Sequence, residues 1–354
     1  MNPGSSAAPP RLGNFDGSRR NNFTALRIAF AWSVLFGHSF AISGYPQLNP
    51  LKAVFEGSIW IGAIAVNGFF VISGFLVTAS LRKRGPIDYG LSRCLRIYPA
   101  LLVCVLVSVF LLGTALTTLP TPTYLTEADT RSYLWNATAL FVMQSDLPGV
   151  FDTHPRQAMN GSLWTLTVEV ACYLLLALAG LLGLLRSRAL ANAALIAVFL
   201  AGLFYFEWLP LIGRQGNWAR LGLYFLLGVA CHVNRNTIPL DGRLALGFAV
   251  VFYLGLGEDW FRWTAPLALT YLVFFLAYRT PFIDLEERIG DPSYGIYIYA
   301  WPVQQLVVHW YPREGPYFNT LVASVIVVVL ALLSWHLLEK PALGLKRRFL
   351  ASGA

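Results

Sequence analysis

The stretch TALRIAFAWSVLFGHSFAIS, residues 24–43, decides the fold class. Twenty residues with an apolar body make a helix about 30 Å long, the thickness of a bilayer's hydrocarbon core. Arg11, Arg19 and Arg20 precede it, as in a signal peptide. The apolar body is too long for one, however, and no A-x-A cleavage pattern follows, so it reads as a retained anchor helix. It also keeps two ionisable residues, Arg27 and His38. Their spacing is about three helical turns, which puts both on one face roughly 16 Å apart along the axis. An ionisable side chain inside a span is costly and marks a functional site by default.

Outward from that helix, nine more segments approach spanning length: 59–81, 97–118, 163–185, 189–208, 218–234, 243–258, 263–279, 293–311 and 319–339. The seventh and eighth are short, and 133–142 is too short to span and reads as an interfacial piece. The composition agrees. Of 354 residues, 56% are hydrophobic and only 12% charged, about half the usual charged fraction. Such a chain cannot dress a water-facing surface of its size, which excludes a cytosolic enzyme and a disordered regulator. The net charge of +8 raises nucleic-acid binding, but sidedness explains it better. With ten spans and both termini cytoplasmic, the inner pieces carry 18 of the 26 Lys and Arg residues, as the positive-inside rule requires. The expected architecture is an all-α polytopic membrane protein of about ten transmembrane helices. Residues 1–23 form a disordered cytoplasmic tail, 24–340 the membrane domain and 341–354 a basic cytoplasmic tail. The four cysteines show no metal-ligand spacing, so no metal is expected.

Glu169 is the one acid deep in a predicted span, about 9 Å below the outer end of the fourth. His38 lies at similar depth in the first, so the two are expected to meet. A carboxylate would orient the imidazole, which then can take a proton from a hydroxyl. Gln304, Gln305 and His309 near the outer end of the ninth span, and Asn67 in the second, lie at a level where amides position a sugar hydroxyl or join helices. Asn160-Gly-Ser162-Leu-Trp164 precedes the fourth helix, with Ser162 as its N-cap and Trp164 at the interface. On the cytoplasmic side, Arg93 and Arg96 share a helical face and suit a phosphorylated ligand. Gly68, Ser73 and Gly74 in NGFFVISGFL allow close helix packing.

Six of these marks, in order from Leu26 to Leu345, resemble acyltransferase family 3, the bacterial membrane O-acyltransferases of cell-surface sugars. They are Arg27-x10-His38, GFFVISGFL, Arg93-x-x-Arg96, NGSLWTLTVE ending in Glu169, SYGIYIYAWPVQQ at 293–305, and WHLLEKPAL at 335–343. The resemblance implies ten spans in the bacterial inner membrane and acetyl-CoA or another acyl-CoA as donor on the cytoplasmic side. It implies a saccharide or lipid-linked saccharide acceptor outside, and importance for Arg27, His38, Arg93 and Arg96. Some members carry an acid where Asn67 stands, and some append an extracytoplasmic esterase-like domain; only about 15 residues follow the last span here. With CoA phosphates near Arg27, Arg93 and Arg96, the thioester would reach His38, oriented by Glu169. His38 then either deprotonates the sugar hydroxyl for direct attack or is itself acylated first. Asn67, Asn160, Ser162, Trp164, Gln304 and Gln305 would bind or support the acceptor. The rival readings are a flippase of lipid-linked sugars and a membrane glycosyltransferase. No repeat halves favour the first, and no outer carboxylate constellation favours the second.

Overall fold

The computed structural model describes residues 9–55, 57, 59–140, 143–205 and 216–351. The first eight residues of the expected tail, the end of the fifth expected span and the last three residues lie outside that set. A helix lies under each of the ten expected segments: α1 (Phe23–Ile42), α2 (Ile61–Arg84), α3 (Pro86–Leu106), α4 (Trp164–Leu181), α5 (Arg188–Tyr205), α6 (Gly216–Val233), α7 (Gly242–Leu254), α8 (Phe261–Arg279), α9 (Ser293–Trp310) and α10 (Pro316–Ser334). A further helix, α11 (Lys340–Ala351), closes the chain. Among the described residues, six are long and apolar enough to cross a membrane: α1, α2, α3 with its extension to Leu116, α4, α8, and α10 run on to Lys346. Helices suit a bilayer because they satisfy every backbone N–H and C=O internally.

The side chains agree. On α10, Leu321, Val325, Val329 and Leu333 recur every four residues and are all at least half exposed. Leu174, Leu175, Leu178 and Leu181, all more than half exposed, form a similar stripe on α4. Water would penalise such stripes heavily, whereas lipid solvates them. This is a membrane protein.

Proline and glycine set the joints. Gly85, at φ +80°, ends α2, and Pro86 opens α3 at the position where a missing N–H costs nothing. Two stretches wind as π-helix, Val107–Gly113 and Trp335–Glu339. The second stands just before Pro341, which cannot donate to the Leu337 carbonyl and so loosens the turn.

Two compact units partition the chain. One comprises residues up to Leu26, Asn67–Ala79 and Leu184–Asp284. There Gly74 and Gly228 bring α2 and α6 into backbone contact: a Cβ on Gly74 would lie 2.1 Å from the Phe225 carbonyl oxygen, and one on Gly228 2.2 Å from that of Val71. Phe75 packs on Phe274 and His232 beside them, with ring centroids 4.7 and 5.2 Å away. The expected disorder of 1–23 fails from Pro10 onward. Leu12 and Gly13 donate to the Ile238 and Arg235 carbonyls, Leu240 donates back to Pro10, and Arg235 pairs with Asp16 at 3.1 Å. Leu12 is fully buried and Phe15 stacks on Tyr278. A Pro- and Arg-rich stretch looks disordered by composition, yet it docks because the turn at 235–240 offers it backbone partners.

The second unit comprises Arg27–Val66, Ser80–Gly183 and Leu285–Ala354. It holds most of α1, all of α3, α4, α9 and α10, and the long loop 119–162. That loop is built, not slack. Asn136 exchanges hydrogen bonds with the Gln144 backbone, and the Tyr124 hydroxyl donates to the Val109 carbonyl. Asn136 and Asn160, which fit the glycosylation pattern, are both buried.

Candidate active site

His38 sits on α1 between two indoles. Its ring centroid is 4.9 Å from that of Trp60 and 4.7 Å from that of Trp301, which meets it edge to face. Trp301 is fixed from behind, its Nε1 donating to the Ala158 carbonyl at 2.9 Å. Gly161 makes room for that indole, since a Cβ there would lie 2.6 Å from it. Arg156, on the same loop, is within electrostatic range of the His38 ring.

Proline explains how the loop is held. Pro302 on α9 has no N–H for the Ile298 carbonyl one turn back. Asn160 supplies the missing donor, its Nδ2 reaching that carbonyl at 2.9 Å, while its Oδ1 accepts from the Ser162 backbone N–H. Gln305 clasps the next stretch. Its Nε2 donates to the Arg156 and Ala158 carbonyls, which leaves Oε1 to accept from His154 Nδ1 at 3.0 Å. Burial pushes the His154 imidazole below its usual pKa; the Gln305 bond opposes this and nearby His309 adds to it. Gln304, fully buried, donates to the Leu35 carbonyl, Ser39 Oγ and Asn319 Oδ1. Gln304, Gln305 and Asn160 therefore support the walls around His38.

Arg27 and Arg96 meet on Asp291, and Glu339 takes the other arm of Arg96. Asp291 Oδ2 accepts from Arg27 at 3.1 Å and from Arg96 at 2.7 Å, and Glu339 Oε2 meets the other arm of Arg96 at 2.5 Å. Ser293 and Ser334 donate to the remaining carboxylate oxygens. Tyr294 and Trp335 lie under the Arg96 guanidinium at 5.7 and 5.3 Å. Burial raises the Asp291 carboxyl, but the two guanidiniums and Ser293 outweigh it and hold it below the usual carboxylate range. Gly290 is obligatory beside it: φ is +81°, and a Cβ would fall 1.8 Å from Trp335 Nε1. Two charges of each sign cancel, so Arg96 is committed to carboxylates.

Arg93 is different. Its guanidinium lies 5.8 Å from the Tyr173 ring centroid, and its buried Nε has no hydrogen-bond partner among the described residues. Tyr173 in turn donates its hydroxyl to Glu169, and its carbonyl accepts from Tyr89 at 2.9 Å. The expected His38–Glu169 contact is therefore not formed. Equal depth on two helices does not fix azimuth, and Glu169 is claimed one turn along its own helix by Tyr173. Two further expectations need correction. The α4 N-cap is Leu163 with no side-chain cap, and the buried Ser162 hydroxyl has no partner among the described residues. Arg93 and Arg96, expected to act as a pair, divide between an aromatic face and a carboxylate clamp. Trp164 is partly buried at the start of α4. Asn67, fully buried, belongs to the first unit, where it faces the Tyr224 hydroxyl without either amide atom reaching good hydrogen-bond geometry.

Sequence reasoning missed Asp291, Glu339, Trp60, Trp301 and Tyr173. Glu339 carried a usable signal, an acid ending an apolar run just before a proline, as did Asp291 in the Gly-Asp-Pro-Ser turn opening α9.

The His lodged between aromatic rings and the arginine–carboxylate clamp both draw on α1, through His38 and Arg27. The acyltransferase domain family model matches residues 20–339, and the chain is a member of that family. It is 30% identical over 350 residues to a protein of Shigella phage Sf6 named O-acetyl transferase, with 91% of this chain and 96% of the relative aligned. It is 29% identical over 372 residues to nodulation protein 10 of Rhizobium leguminosarum bv. viciae, covering 94% and 95%. No solved structure matches the chain. The protein is thus an O-acyltransferase, which sets aside the flippase and glycosyltransferase readings.

Proposed function

We propose that the enzyme moves an acetyl group from acetyl-CoA, or another acyl-CoA, to a hydroxyl of a saccharide or lipid-linked saccharide across the bacterial inner membrane. In this reading there are about ten spans, both termini are cytoplasmic, and the donor enters from the side of α3 that carries Arg93. The observation that carries it is the His38 imidazole held between Trp60 and Trp301, with no carboxylate or ion pair occupying it among the described residues. The Shigella phage relative's name supports the acetyl assignment.

His38 takes the proton from the acceptor hydroxyl as its oxygen attacks the thioester carbonyl. The tetrahedral intermediate collapses, the C–S bond breaks, and the CoA thiolate recovers the proton from the imidazolium. In the alternative order, His38 attacks the thioester first and passes the acyl group to the hydroxyl second. Trapping an acylated protein without acceptor separates the two. Arg93 meets a CoA phosphate, and Glu169 acts through Tyr173 to hold the aromatic face on which Arg93 rests. Arg27 and Arg96 shape that end of the site through Asp291 and Glu339. The test is release of CoA thiol by purified protein given acetyl-CoA and de-O-acetylated surface polysaccharide. His38→Ala should lower the rate by about 10²–10⁴, the usual worth of a general base. Full transfer by that variant would sink both orders.

A further inference from the structure

Trp60 opens α2, where an interfacial tryptophan needs no special reason. Its placement is nevertheless built. The indole fills the space above two glycines: a Cβ on Gly62 would lie 1.9 Å from the ring and one on Gly37 2.8 Å from it. Seated there, it meets the His38 ring at a tilt of 49° yet remains 41% exposed. Most core tryptophans are covered, and most belt tryptophans lie in lipid rather than on a histidine. Trp60 also forms one wall of a cavity of about 270 Å³, lined as well by Gly37, Phe40, Ala41, Asn49 and Lys52. That is below the usual range for drug-sized ligands, so it holds one ring rather than several. Its wall is largely apolar, with an amide and an ammonium at the rim. Lys52 is exposed and has no carboxylate partner among the described residues.

We propose that Trp60 is the acceptor platform: one pyranose ring of the saccharide lies on the exposed indole, its hydroxyls met by Asn49 and Lys52, and a hydroxyl at its edge is delivered to His38. This rests on the saccharide reading above. The chemistry fits because the C–H face of a sugar ring is apolar and its rim polar, matching an indole bordered by an amide and an ammonium. Trp60 is then a positioning residue that acts on acceptor binding, whereas Trp301, buried and tied to Ala158, serves the fold.

The experiment is steady-state transfer by the full-length protein in nanodiscs, with acetyl-CoA and de-O-acetylated surface polysaccharide both varied. Trp60→Leu keeps apolar bulk on the glycine seat, and Trp60→Phe keeps an aromatic face. The expected result is that Trp60→Leu raises KM for the polysaccharide at least tenfold while KM for acetyl-CoA stays within twofold, and Trp60→Phe recovers most of the loss. An unchanged polysaccharide KM in Trp60→Leu, or a loss confined to kcat, overturns the platform while wild-type transfer upholds the proposed function. A raised KM for acetyl-CoA instead makes the cavity an acyl pocket and also overturns it. Wild-type protein that consumes no acetyl-CoA with the polysaccharide sinks the proposed function, and the platform with it.

Discussion

Replacing Arg96 with methionine tests whether that guanidinium is part of the frame or a ligand for substrate. The side chain of Glu339 is completely buried, and Arg96 is its only basic partner among the described residues, at 2.5 Å. Without Arg96 it keeps one hydrogen bond, from Ser334 at 3.0 Å. Asp291 is better insured, since Arg27 and Ser293 remain. The cost therefore falls on Glu339, and breaking one side of a buried pair costs about 3–5 kcal/mol. Loss of the Tyr294 and Trp335 faces adds about 1 kcal/mol. Adding Glu339→Leu should give back at least about 2 kcal/mol, because removing both members of a buried pair is often close to neutral. The assay is unfolding in mixed micelles for the wild type, both single variants and the double. An Arg96→Met protein as stable as wild type, or strictly additive singles, would refute the clamp. If stability held while KM for acetyl-CoA rose, Arg96 would be a phosphate ligand instead.

Arg93 should behave in the opposite way. Arg93→Ala removes a guanidinium without a carboxylate partner among the described residues, so stability should fall by less than about 1 kcal/mol. KM for acetyl-CoA should rise roughly tenfold or more, the worth of one charge-assisted hydrogen bond. Gly74→Ala drives a methyl to 2.1 Å from the Phe225 carbonyl; backbone must move, and measured unfolding should show a loss of about 1–3 kcal/mol or more. The His154 clasp should weaken in acid. Its imidazole is harder to protonate when docked, so the undocked loop binds the proton first, and stability falls as pH drops below about 6.5 until the docked ring also protonates. Hydrogen exchange across 154–159, corrected for intrinsic rates, should therefore rise over that window, and His154→Gln should flatten it. The Asp291 clamp shows the carboxylate case. Its depressed pKa keeps it charged at neutral pH, and its contribution is lost only as pH falls through a value below the usual carboxylate range.

Much of this molecule is legible one residue at a time. Because segment length against bilayer thickness is a one-dimensional property, runs of apolar residues put a described helix under each expected segment, although α3 begins at Pro86 rather than at 97. Arg27 and His38 stand out for the same reason: a polar group in an apolar run is visible without knowing its neighbours. The family marks lie in the same local pattern. What failed was everything that depended on azimuth. Depth predicted that Glu169 would meet His38, but the direction in which a side chain leaves a helix is set by packing. Spacing put Arg93 and Arg96 on one face, but it did not show that two distant acids would claim one of them.

The sequence by itself determined that the chain lives in a bilayer, where its apolar helices lie and which family it belongs to. Hydrophobicity and motif order are carried along the chain and survive without coordinates. Only the tertiary structure decided which charges cancel, which glycines are contacts and which aromatic rings flank His38. Asp291 and Glu339 reach Arg96 across 195 and 243 residues of sequence, and Trp301 comes to His38 from the ninth helix. Burial then fixes their meaning, because a carboxylate out of water must find a cation and an indole beside a glycine fills the space the glycine leaves.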